Sequence, residues 1–299
     1  MSMQNQSEQV PHAIPQEAFD WYDEYAHGDI DRRTFLNRLA GIGLSAAAIS
    51  AGLIPNYALA EQVSFNDEGI KATYQTFASP GGFDEGKGYL VVPANLDGKK
   101  APVVLVVHEN RGLNPYVEDV ARRLAKQGFI AFAPDILHTL GGYPGNDDEG
   151  RSMQSSLDKV KVEMEFINAA KFIKQHALST GKLGVVGFCF GGYVSNMLAA
   201  RLPNDVDAAV PFYGTPPKTE LIAQIKAPLM MQFGELDKRV NGTWLDYEPE
   251  LKKAGVDYQA FVYKGVNHGF HNDSTARYDE ASAELAWSRS IEFFKKHLA

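Results

Sequence analysis

From residue 71 to the C-terminus, short apolar runs alternate with longer stretches whose apolar positions recur every three or four residues. Residues 71–77 and 88–92 alternate apolar and polar side chains about Gly81-Gly82, which predicts an antiparallel pair with one exposed face. Residues 103–107, 129–133 and 183–188 are instead continuous apolar runs, the pattern of strands covered on both faces. Further strands are predicted over 208–213, 229–233 and 258–263. Helical periodicity marks 115–127, with Pro115 in its first turn and Gly128 closing it, and then 156–176, 191–201, 244–254 and 282–298. The Gly- and Asp-rich stretch 141–150 reads as a loop. Buried strands alternating with helices predict an α/β fold in one domain over 61–299, with a mostly parallel central sheet and helices on both faces.

The first sixty residues follow another pattern. Residues 1–31 carry seven acidic side chains and no Lys or Arg; Arg32-Arg33, Arg38, a small-residue run over 39–53 and Ala58-Leu59-Ala60 follow. A paired arginine, a mildly apolar stretch and an A-x-A ending resemble a twin-arginine signal, which predicts an exported, periplasmic protein trimmed after Ala60. The same stretch also fits a retained helical arm on a cytoplasmic protein. Phe19, Trp21, Tyr22 and Tyr25 recur at roughly helical spacing, and acidic residues ahead of the arginines are unusual in a signal. The apolar run is broken by Gly41, Gly43, Ser45 and Ser50 and stopped by Pro55, so no stable membrane span is predicted.

Composition narrows the chemistry. At 44% hydrophobic and 22% charged residues the chain is globular, and its net charge of −8 without a local basic patch speaks against a nucleic-acid partner. One cysteine, Cys189, excludes an intramolecular disulfide and a cysteine zinc cluster. No Gly-x-Gly-x-x-Gly opens the first strand–helix turn, so no dinucleotide cofactor is expected.

In parallel sheets the reactive groups gather at the carboxyl ends of the strands. Gly187-Phe188-Cys189-Phe190-Gly191-Gly192 follows the 183–188 strand and precedes a helix. Such a turn strains its central residue, lifts that side chain above the sheet and places it at a helix N-terminus that favours a thiolate. The same residues also fit a buried cysteine in a tight turn. Asp237 comes after the 229–233 strand and His268 after 258–263, giving the order nucleophile, acid, histidine. His268 would then accept the thiol proton and Asp237 would fix its tautomer; taken singly, each also fits an ordinary turn residue. His268 and His271 form an H-x-x-H without a helix or a third ligand, so no metal site is expected. His108-Glu109-Asn110-Arg111-Gly112 follows the 103–107 strand. In a hydrolase this turn supplies one backbone N–H to an oxyanion and Phe190 the other, with Glu109 in reach of the thiol. Glu109 and Arg111 also fit a simple surface ion pair.

Together the Gly-x-Cys-x-Gly-Gly turn, the later Asp and Gly-x-x-His, the His108-Glu109 pair and Phe212-Tyr213-Gly214 resemble the dienelactone hydrolase family, carboxymethylenebutenolidase-like α/β-hydrolases, over about residues 71–298. The resemblance implies an α/β-hydrolase fold, a triad of Cys189, Asp237 and His268, and a Glu109 that exchanges partners to help make the thiolate. It also implies an oxyanion hole built from the Asn110 and Phe190 amides. Where that family carries two arginines for a substrate carboxylate, this chain has Asp135-Ile136-Leu137-His138-Thr139 and Phe270-His271-Asn272. Arg111, His138, Tyr213, Phe270 and His271 are therefore the candidate substrate contacts, with Arg277 a further stand-in. The implied function is cofactor-free hydrolysis of a small-molecule ester or lactone through an acyl-thioester, and the missing arginines leave open whether dienelactone is among the substrates. A thioesterase and a non-catalytic binding protein on the same fold are the alternatives.

Overall fold

The continuous apolar runs form the middle of an eight-stranded sheet in the computed structural model, which describes residues 14–44, 56–57 and 61–299. The strands are β1 (Ile70–Ser79), β2 (Asp84–Pro93), β3 (Ala101–Val107), β4 (Ile130–Pro134), β5 (Ser179–Phe188), β6 (Ala208–Phe212), β7 (Leu229–Gly234) and β8 (Tyr258–Tyr263). Their order is β1-β2-β4-β3-β5-β6-β7-β8. β2 pairs antiparallel with β1 and β4, and every other pairing is parallel, which is the α/β-hydrolase arrangement expected above.

Side chains of the central strands divide between two hydrophobic layers. Val103, Leu105 and Val107 of β3 face one layer, and Val104 and Val106 the other; Val185 and Val186 of β5 split in the same way. The first layer is closed by α5 (Lys159–Lys174), α6 (Phe190–Arg201) and α8 (Lys238–Ala254). The second is closed by α3 (Pro115–Lys126) and α9 (Glu280–His297). A strand that packs on both faces has no use for polar alternation, which explains why these runs read as unbroken apolar sequence.

Helix boundaries follow capping more closely than periodicity. Asp158 accepts from the Val160 and Lys161 amides, so α5 starts at Lys159 rather than at 156. The predicted 141–150 loop ends in a short helix, α4 (Asp147–Ser155), capped by Asn146 and carrying Asp147, Asp148 and Glu149 in its first turn. Gly150 is the one buried residue of α4, and a Cβ there would lie 2.4 Å from the Arg111 carbonyl oxygen. Packing demands the glycine that made this stretch read as loop. Asp237 caps α8, which therefore begins at Lys238 instead of near 244. A four-residue turn of helix, α7 (Thr219–Ile222), completes the body.

The chain divides into two compact units, Met1–Ile54 and Pro55–Ala299. Described residues of the first form α1 (Gln16–His27) and α2 (Arg32–Gly41), packed through Ala18, Tyr25, Phe35 and Leu39, with the Tyr25 and Phe35 rings stacked at 4.9 Å. Arg32 and Arg33 occupy the first turn of α2, where Asp31 accepts from the Thr34 amide. Ala58-Leu59-Ala60 lies outside the described residues. Among the described residues no helix is long and apolar enough to cross a membrane.

Candidate active site

Cys189 stands on the turn between β5 and α6 with φ 57° and ψ −112°, a conformation that costs a non-glycine residue about 1–3 kcal/mol. The strain persists because the turn is locked on both sides. The Cys189 amide donates to the Phe212 carbonyl at 3.0 Å, and the Cys189 carbonyl accepts from Gly192 and Tyr193. A Cβ on Gly187 would lie 2.0 Å from the Gly191 carbonyl oxygen, and one on Gly191 would lie 2.2 Å from that of Val107. The glycines thus let α6 start against the end of β3, whose loop carries His108, Glu109 and Asn110.

Asp237 and His268 come from adjacent loops stitched by main-chain bonds, Glu235 N–H to the Tyr263 carbonyl at 2.9 Å and Leu236 N–H to that of Val266 at 3.0 Å. One Asp237 oxygen accepts from the Val240 amide at the start of α8, which fixes the carboxylate. The other lies 2.6 Å from His268 Nδ1. A carboxylate at that distance keeps the ring proton on Nδ1 and makes Nε2 the basic nitrogen. The sulfur of Cys189 and a ring nitrogen of His268 are within 4.8 Å of one another, and all three side chains are buried. Tyr213, itself at φ 37°, lays its ring 4.8 Å from the His268 ring.

Glu109 is 1% exposed. Asn272 Nδ2 donates to its Oε2 at 3.1 Å, and Arg111 Nε stands 3.7 Å from the same oxygen. Burial pushes the Glu109 carboxyl above the usual carboxylate range; Arg111 and Arg277 oppose this, while charge on Cys189 adds to it. Neighbouring His108 is neutral: burial against Phe166 lowers it to about 4, and its Nδ1 donates to the Glu109 carbonyl at 2.6 Å.

The family model described as dienelactone hydrolase family matches residues 87–298. The chain belongs to the dienelactone hydrolase family. It is a hydrolase. A second model, described as YqhI-like, matches residues 6–45. The chain is 60% identical over 115 residues to "Putative hydrolase fragment YghX" of Escherichia coli, covering 38% of this chain and 97% of that fragment. It is 34% identical over 250 residues to a protein of Aquifex aeolicus named "Putative carboxymethylenebutenolidase", covering 80% of this chain and 100% of that one. Among solved structures, "Crystal Structure of Putative Dienelactone Hydrolase from Klebsiella pneumoniae" superposes with a TM-score of 0.65 at 25% identity, over 75% of this chain and 99% of that one.

Within this family member, the candidate substrate contacts separate. Phe270 is fully buried among Phe212, Tyr213 and Tyr263. His271 lies between Phe188, Phe212 and Trp287, with Nδ1 2.7 Å from the Tyr116 hydroxyl. Burial, reinforced by Arg123, lowers His271 to about 3. Both side chains pack in the second hydrophobic layer. Arg111 is buried and engaged by Glu109 and Asp147 rather than presented on a surface turn. His138 is half-buried in the short turn after β4, and Arg277 packs against Gly269. Asn272, Asp147 and Tyr57 carry contacts around Glu109 and Arg111 that sequence reading passed over. Only the position of Asn272, four residues after His268, offered a signal.

Proposed function

We propose that this protein hydrolyses uncharged carboxylic esters or lactones through Cys189, with His268 and Asp237 completing a triad. The observation that carries the reading is the strained cysteine with His268 in reach, its ring fixed by Asp237 at 2.6 Å. His268 Nε2, or Glu109, takes the thiol proton, and the sulfur attacks the carbonyl carbon. The oxyanion that forms is met by the amides of Phe190 and Asn110. Collapse breaks the carbon–oxygen bond of the leaving group, which receives the thiol proton from whichever of His268 and Glu109 took it, and leaves an acyl-thioester on Cys189. In a lactone the leaving alkoxide stays tethered to the acyl group. Water deprotonated by His268 then attacks the thioester, the acid departs, and the thiol is restored.

An uncharged substrate fits the charges around the site. Arg111 is already shared between two carboxylates. The two stretches where the resembled enzymes carry arginines for a substrate carboxylate, 135–139 and 270–272, contain no arginine here, and His271 in the second is neutral and buried. The test is turnover of p-nitrophenyl acetate and of neutral and carboxylated lactones by wild type and Cys189→Ala. Wild-type turnover that is lost in Cys189→Ala supports the reading, and equal rates in the two proteins refute it.

A further inference from the structure

Beside Glu109 lies a polar cluster that the proposed reaction does not yet use, with Arg111 and Asn114 buried and Asp147, Tyr57 and Tyr143 half-buried. Arg111 directs its Nη1 to Asp147 Oδ2 at 2.6 Å, while its Nε stands 3.7 Å from Glu109 Oε2. The other Asp147 oxygen accepts from two phenols, Tyr57 and Tyr143, each at 2.7 Å. Asn114 Nδ2 in turn donates to the Tyr57 oxygen at 2.9 Å. Burial raises the Asp147 carboxyl, but the Arg111 guanidinium and the two phenols outweigh it and hold it below the usual range. Tyr57 and Tyr143 are pushed upward by burial and by Asp147, so both remain donors.

Arginine reaches a carboxylate best through a planar pair of N–H groups. In this cluster Asp147 takes Nη1 of the guanidinium at 2.6 Å, and the contact with Glu109 is the longer one at 3.7 Å. We propose that Asp147 is a positioning residue for the hydrolysis: by anchoring Arg111 it keeps Glu109 only half-paired, and so basic enough to serve Cys189. The cluster is preassembled by α4, whose Gln154 Oε1 also accepts from the Gly112 amide at 3.0 Å and whose Gly150 abuts the Arg111 carbonyl. The charged and titratable groups that act on Glu109 are Arg111 and Arg277, which favour the carboxylate, and Cys189 and Asp147, which oppose it. Tyr116 and Tyr213 lie close enough to feel its charge. Freed from Asp147, Arg111 would close on Glu109, lower its basicity and draw it from the thiol.

This inference rests on the role given to Glu109 above, and the experiment separates the two. Iodoacetamide alkylation of Cys189 and kcat/KM on p-nitrophenyl acetate are measured across pH for wild type, Glu109→Gln, Asp147→Asn and the double variant. Asp147→Asn is expected to slow alkylation roughly tenfold at neutral pH and to move the acid limb of both profiles to lower pH. In the Glu109→Gln background the same substitution is expected to add nothing, because its effect travels through Glu109. An equal further loss in that background would show a merely structural role and overturn the proposal. Slow alkylation by Glu109→Gln with wild-type behaviour of Asp147→Asn would overturn the proposal alone. Wild-type alkylation by Glu109→Gln would overturn the role of Glu109 and this proposal with it. If Asp147→Asn does not fold, Tyr143→Phe removes one donor and should give the same pattern at about threefold. Additive losses with Glu109→Gln, or no loss at all, would then be the contrary result.

Discussion

His268 and His271 stand three residues apart in the segment after β8 and meet opposite surroundings. The first faces a carboxylate 2.6 Å away and a thiol within 4.8 Å. The second is enclosed by Phe188, Phe212 and Trp287 and lowered to about 3, so it stays neutral at any ordinary pH. An imidazole becomes a base where a charged partner stabilises its protonated form, and becomes packing where burial forbids that form. Residue type therefore says little, and the partner on the far nitrogen says most.

The comparison breaks most visibly at His268. His268→Ala is expected to reduce kcat/KM on an aryl ester by about 10⁴-fold or more, as Cys189→Ala should, because groups acting as one unit fail together. Asp237→Asn keeps the shape but loses the charge that holds the ring tautomer, and should cost about 10²–10⁴ in kcat. His271→Gln should leave kcat/KM within about threefold while lowering stability by about 1–3 kcal/mol, read from chemical denaturation. The smallest effect concerns pH. His271 and His108 titrate near 6.5 when unfolded but at about 3 and about 4 in the fold. Stability from their neutral burial is present above pH 6.5 and is lost as pH falls from there toward 4, since the unfolded chain gains protons first. Denaturation midpoints followed from pH 7 to pH 4 should fall less steeply in His271→Gln than in wild type. Equal slopes would contradict the assignment of His271 as a buried neutral ring.

Much of this was readable in the chain because one periodicity dominates it. Strands packed on both faces must be continuously apolar, and that marked β3, β4 and β5 directly. The Gly-x-Cys-x-Gly-Gly spacing was legible for a steric reason now explicit in the 2.0 Å and 2.2 Å approaches at Gly187 and Gly191. Order along the chain put Asp237 and His268 in neighbouring loops, though nothing in sequence revealed that Asp237 also caps α8. The misses share a cause. α4 is short and polar and contains the glycine its packing requires, so composition concealed it. Phe270 and His271 lie in the stretch where the resembled family carries an arginine, and nothing local in the sequence shows that the segment turns both side chains inward. Asp147 reaches Arg111, and Tyr57 reaches Asp147, from distant segments, and such long-range partners leave no local pattern.

The central claim is that the Cys189 sulfur carries the acyl group during turnover. Rapid acid quenching of the enzyme with p-nitrophenyl acetate, followed by peptide mass spectrometry, tests it directly. The account expects one acetyl group on the peptide containing Cys189 and none after Cys189→Ala, which should also lose turnover. Undiminished turnover by Cys189→Ala, with no acetyl found on the wild-type cysteine, would contradict it.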